Sequence, residues 1–212
     1  MNNMDLPTRE QAEAYFDDFH VPDNFKQHCF FVNRIAVFLA EELKATGEHI
    51  DLDLVDILSL LHDLFKPAAL EKLTTDAKFK CYPTPKQITF WEEMKQKYKA
   101  KHETALFAEV FSPEFPEFAK LMLHYGNHDI LTSKKSREEQ IVHYADWRVY
   151  CDEIVSLKKR TDDLLIRYKH KIEGNKGGLA LWQTRVADEC AVEFSIFYKL
   201  NIKPEQLAQL VK

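Results

Sequence analysis

Only five glycines occur in 212 residues, at positions 47, 126, 174, 177 and 178, and each falls where helical periodicity lapses. A sheet protein of this size needs turn punctuation far more often. Elsewhere apolar residues recur at intervals of three and four. Phe25, Cys29, Val32, Ala36, Leu39 and Leu43 are one such stripe, as on a helix with one face in a core. The chain is therefore read as all-α. The expected layout is a single helical bundle over 1–172, with 173–212 forming C-terminal helices that pack on it.

Start and stop signals divide the bundle. Thr8-x-x-Gln11 is a capping box for a helix to about Phe19. The next helix spans about 22–45 and carries His28 beside its stripe, with Arg34 and Glu41-Glu42 facing water and Gly47 as its end signal. Asp51 or Asp53 caps a helix that carries Val55 to Asp63. Pro67, Pro83 and Pro85 make 64–85 irregular, apart from a short helix near 68–73. One helix is expected over 85–111, bent near 99–101, with His102 on it. Another, over 113–125, places His124 in its last turn and His128 in the loop beyond Gly126. The longest helix is expected over about 137–171, then the glycine turn, then a helix over 179–200. Its aromatics Trp182, Phe194, Phe197 and Tyr198 read as core. Lys203-Pro204-Glu205 opens a short terminal helix.

Composition narrows the function classes. Hydrophobic residues make up 45% and charged residues 30%, as in a soluble globular protein. A net charge of −5 gives no strong nucleic-acid signal. The segment MNNMDLPTRE lacks the apolar core of a signal peptide, and no apolar run is long enough to span a membrane. Cys29, Cys81, Cys151 and Cys190 stand alone, without CxxC pairing, which reads as reduced core thiols in a cytoplasmic protein.

The chemistry centres on Leu58-Ser59-Leu60-Leu61-His62-Asp63-Leu64-Phe65-Lys66-Pro67. A greasy helical run ends in adjacent His and Asp, with Lys66 three residues on and Pro67 blocking further helix. Adjacent helical residues lie about 100° apart, so both side chains can lean toward one centre. Neutral imidazole and carboxylate suit the same divalent ions, and a carboxylate can bridge two of them. Two ligands do not make a site. His28, His102, His124 and Asp146 are the further candidates, each on or at the end of a different expected helix. Alone, His28 or His102 would more often be a half-exposed helix histidine. His143 reads as a supporting histidine, and His20, His49 and His170 as surface residues. The Lys95–Lys101 cluster reads as a solvated face.

The ordered set His28, His62-Asp63 and Asp146, the last in Ile-Val-His-Tyr-Ala-Asp, resembles the HD-domain superfamily of metal-dependent phosphohydrolases. The Leu-Leu-His-Asp-x-x-Lys context matches as well, and the resemblance covers roughly 22–150. It implies a helical HD domain. It also implies one or two divalent transition-metal ions (Fe, Mn, Ni, Co or Zn). His28, His62, Asp63 and Asp146 would hold the first ion, and Asp63 with His102 and His124 a second. His128 competes with His124 for its slot; with His124 favoured, His128 faces substrate. Lys66 would bind and neutralise a phosphoryl group beside the catalytic Asp63. The implied activity is hydrolysis of a phosphomonoester or nucleotide phosphate, with homo-oligomerisation left open. Leu64-Phe65-Lys66-Pro67 lacks the acidic pair of guanosine tetraphosphate hydrolases. His-Tyr-Gly-Asn-His lacks the Gly-rich motif of the cyclic-di-guanylate subclass. Two alternatives stay open: a diiron oxygenase of the same architecture, as inositol oxygenase is, and a non-catalytic helical binding module.

Overall fold

The computed structural model describes residues 4–99, 102–151, 153–174 and 176–211. Ala100 and Lys101, in the expected bend and at the end of the lysine cluster, lie outside the described residues, as does Asn175 in the glycine turn. The fold is all-α. Its only sheet among the described residues is a two-stranded hairpin, β1 (Val149–Tyr150) against β2 (Glu153–Ile154). No helix among them is long and apolar enough to cross a membrane.

The chain forms two compact units, Met1–Asn33 with Asp56–Asn127, and Arg34–Val55 with His128–Lys212. Helices α2 (Asp23–Ala45) and α3 (Leu52–Leu61) lend residues to both. Cys29, Val32, Ala36, Leu39 and Leu43 of the α2 stripe are buried. Gly47, just past its end, takes φ +94°, a conformation that favours a residue without a Cβ. Asp51 is the residue that caps α3, accepting from the Leu54 amide at 3.1 Å.

The first unit also contains α1 (Arg9–Asp18), α4 (Lys66–Ala69), α5 (Pro85–Lys97), α6 (Glu103–Phe111) and α7 (Pro116–Tyr125). Capping boxes at Thr8 and Thr84 open α1 and α5. Phe65 is 1% exposed and sits at the hub of an aromatic core, with the rings of Phe19, Trp91, Phe107 and Phe111 at 4.9–6.2 Å. Helices α6 and α7 pack closely. Gly126 permits this: a Cβ there would lie 2.2 Å from the Thr104 side chain.

The helix expected over 85–111 is two helices. The α5 helix ends at Tyr98, Lys99 takes φ +55°, and α6 starts anew behind His102, which is its N-cap rather than a mid-helix residue. Lys95 belongs to no wholly solvated face, since its ammonium donates to the Leu70 carbonyl where α4 ends. The α4 helix starts at Lys66, two residues earlier than expected. In α7 the first-turn proline is Pro116, not Pro113, because Phe115 is buried and its amide still closes a turn on the Phe111 carbonyl.

The second unit adds α8 (Arg137–Asp146), the hairpin, α9 (Leu157–Arg167), α10 (Lys169–Gly174), α11 (Gly178–Leu200) and α12 (Leu207–Leu210). The single helix expected over 137–171 is therefore wrong. Arg148 is 3% exposed, and its guanidinium reaches the Val155 carbonyl at 2.6 Å, Glu193 at 3.2 Å and the Pro204 carbonyl at 3.1 Å. Those bonds compete with continuing the helix, and Ser156 then caps α9 through the Lys159 amide. The aromatics of α11 divide. Phe197 is buried and Trp182 half-buried, but Phe194 and Tyr198 are exposed, contrary to the core reading.

Candidate metal centre

His62 follows directly on α3, whose Leu58, Leu60 and Leu61 are completely buried. Burial of that apolar run holds the last turn in place and leaves His62 only 5% exposed. Its Nδ1 lies 2.7 Å from the Ser59 carbonyl oxygen. A carbonyl can only accept, so Nδ1 carries the proton and the lone pair is on Nε2. That is the tautomer a metal-ligating imidazole needs, fixed by a backbone partner. Ser59 is itself held: its hydroxyl accepts from buried Asn33 at 2.9 Å, and Asn33 also bonds Asp56, tying the middle and last turn of α3 to α2.

Asp63 gathers the cluster in the first unit. Its Oδ2 lies 3.8 Å from His28 Nε2 and 4.0 Å from His62 Nε2. The two imidazoles have ring centroids 5.4 Å apart and offer ligand nitrogens within 4.8 Å of each other. Ligand atoms that share one ion at bond lengths near 2.1 Å stand about 3–4.2 Å apart. The spacing around Asp63 falls in that range.

Lys66, the first residue of α4, bridges two carboxylates. Its Nζ lies 3.4 Å from Asp63 Oδ1 and 2.9 Å from Glu103 Oε1. Its side chain is 31% exposed, so it is not a lysine splayed over a helix end. Glu103 was not anticipated from the sequence. It is 9% exposed in the first turn of α6, directly after His102. The signal was available in Lys-His-Glu-Thr, a carboxylate beside a candidate ligand, but nothing local says that it reaches residue 66.

The His102 ring caps α6 through Thr104, with Nδ1 3.0 Å from its hydroxyl and 3.4 Å from its amide. Although His102 is exposed by surface, partial desolvation of the ring is the main influence that lowers its pKa below the ordinary histidine value. The Lys66 ammonium lowers it further and Asp63 opposes them. The neutral imidazole is thereby favoured, and as the cap its Nδ1 accepts from the Thr104 amide. His124 is exposed in the last turn of α7, as expected, and His128 is exposed in the loop beyond.

In the second unit, Asp146 is the last residue of α8. It is half-buried, with Oδ1 3.9 Å from the Arg160 guanidinium. His143, one turn earlier, makes structural contacts within this unit: its Nδ1 lies 2.9 Å from buried Glu189 and its ring stacks on Trp147. The structure thus assembles His28, His62, Asp63 and Lys66 in the first unit and adds Glu103 to them. No protein-family model, curated protein or solved structure matches this chain.

Proposed function

We propose that this protein is a metal-dependent phosphohydrolase acting on a small phosphomonoester or nucleotide phosphate. The observation that carries the reading is the convergence of His28, His62 and Lys66 on the one carboxylate of Asp63. His28 and His62 offer two imidazoles and Asp63 a carboxylate, a set that can hold a divalent ion. Asp146 enters the proposal on its place in the sequence pattern. So do His102 and His124 as ligands of a second ion, and His128 as a substrate contact.

One or two bound ions of Fe, Mn, Ni, Co or Zn would supply an acidified water and charge to offset the phosphoryl oxygens. The chain's own residues do the rest. His62 presents a lone pair fixed by Ser59. Asp63 offers one oxygen toward the two imidazoles and the other toward Lys66. Lys66 holds a positive charge next to the centre, where a phosphoryl group gathers negative charge in the transition state. Glu103 holds that ammonium in place through a 2.9 Å ion pair. Lone cysteines without CxxC pairing support a cytoplasmic setting.

The test is a screen of phosphate monoesters and nucleotides against purified protein loaded with each of the five metals. Turnover of at least one ester that depends on added metal and is lost in His62→Ala is the expected result. A folded, metal-loaded protein that hydrolyses none of them would sink the hydrolase reading. A mixed-valent iron signal with oxygen consumption would put the oxygenase in its place.

A further inference from the structure

Helix α11 carries a face that the rest of its unit leaves uncovered. At 100° per residue, Ala180, Thr184, Ala187, Ala191, Phe194 and Tyr198 fall within an arc of about 80°. All six are exposed and none is charged, in a chain with 30% charged residues. Phe194 is 69% and Tyr198 75% exposed, and their rings stack with centroids 5.6 Å apart. The other side of the helix is buried through Val192, Ile196 and Phe197. The exposed lysine of α11, Lys199, lies about 100° off the arc from Tyr198. A charge-free stripe rich in aromatics is the composition of an interface core rather than of a solvated helix face.

We propose that this face docks a second copy of the chain, with two α11 helices crossing antiparallel about a two-fold axis between Ala187 and Ala191. The occupant is argued from the order of side-chain sizes along the stripe. Small residues fill its N-terminal half and the two aromatics its C-terminal half. Antiparallel pairing about that centre sets Phe194 against Thr184 of the second copy, Tyr198 against its Ala180, and Ala187 against its Ala191. Each ring then meets a small residue, and the alanines let the backbones approach to about 8 Å. Such a patch is self-complementary, as an isologous contact requires. The two rings alone offer on the order of 250 Å² of apolar area per copy. A standard interface needs about 800 Å² per partner, so flanking surface must join them.

The inference does not rest on the metal centre, and the full-length chain tests it without metal or substrate. Sedimentation over micromolar to millimolar concentrations should report twice the chain mass of 24.9 kDa. The double variant Phe194→Glu/Tyr198→Glu should return it to the single mass with an unchanged helical circular dichroism spectrum. Should that variant fail to fold, Cys190 provides a second measurement on the native face. It is exposed, and lies one residue from the centre of the stripe. A short bismaleimide should link two chains through it, and the covalent dimer should vanish in Cys190→Ser. A chain that sediments at 24.9 kDa throughout, a dimer that survives both glutamates, or one that never links through Cys190 would overturn the proposal.

Discussion

At the scale of single residues, the proposed function makes Lys66 the residue that would separate holding a metal from using one. Its ammonium has no lone pair and sits between Asp63 and Glu103, so it can act only by charge. Lys66→Ala should keep its metal and lose turnover, by about 2.7–4 kcal/mol if it resembles a deleted oxyanion-hole donor. The loss should fall mainly in kcat if the contact tightens only in the transition state. Wild-type rates on the best ester would return Lys66 to a structural role. Glu103→Gln leaves Lys66 charged and removes one partner, so it should cost less than Lys66→Ala; an equal or larger loss in kcat would show that Glu103 does more than hold the lysine. The His62-Asp63 doublet and Lys66 were legible because the three are neighbours in sequence. Glu103 and Ser59 were not. One is 37 residues from its partner, and the other acts through a backbone carbonyl that any residue would carry.

At the scale of elements, the join between α6 and α7 decides where His102 stands. Thr104 touches the His102 ring on one side and fills the space over Gly126 on the other. Gly126→Ala should destabilise the protein by about 1–3 kcal/mol, as overpacking does, read from urea unfolding. Thr104→Ala removes the two nearest atoms of that clash, so the double variant should lose less than the two single changes together. Strict additivity would mean that the two helices part elsewhere. Most helices were legible from caps and periodicity: the boxes at Thr8 and Thr84 and the glycine after α2 all mark observed ends. The break after Tyr98 was read only as a bend near 99–101, and the break after Trp147 was not read at all. Neither has a glycine or proline at the break, and the second follows from long-range bonds of Arg148 that a local pattern does not contain. Periodicity likewise cannot tell a core face from a second apolar face, which is why Phe194 and Tyr198 were misread.

For the molecule as a whole, Tyr144 links folding to alkaline pH. It is completely buried, and its hydroxyl donates to Glu193 at 2.6 Å and accepts from Arg148. Burial, reinforced by Glu193 and opposed by Arg148, pushes its pKa far above the ordinary value of 10.0. The folded state therefore keeps a proton that the unfolded chain gives up near that value. Stability from this group is fully present below about pH 10 and is lost as pH rises beyond it. Of the eight tyrosines, one should titrate only on unfolding, and Tyr144→Phe should flatten the alkaline fall in the urea midpoint. An unchanged slope in the variant would remove Tyr144 as the cause. The all-α class was legible from the glycine count. The division into two compact units was not, because α2 and α3 contribute to both and no linker composition marks the change.

The most direct measurement is metal content. Protein dialysed against limiting divalent metal and analysed by elemental emission should hold one or two transition-metal ions per chain. His62→Ala combined with Asp63→Ala should abolish that binding while leaving the helical spectrum intact. An equal metal content in wild type and the folded double variant would contradict the assignment of His28, His62 and Asp63 as a metal centre.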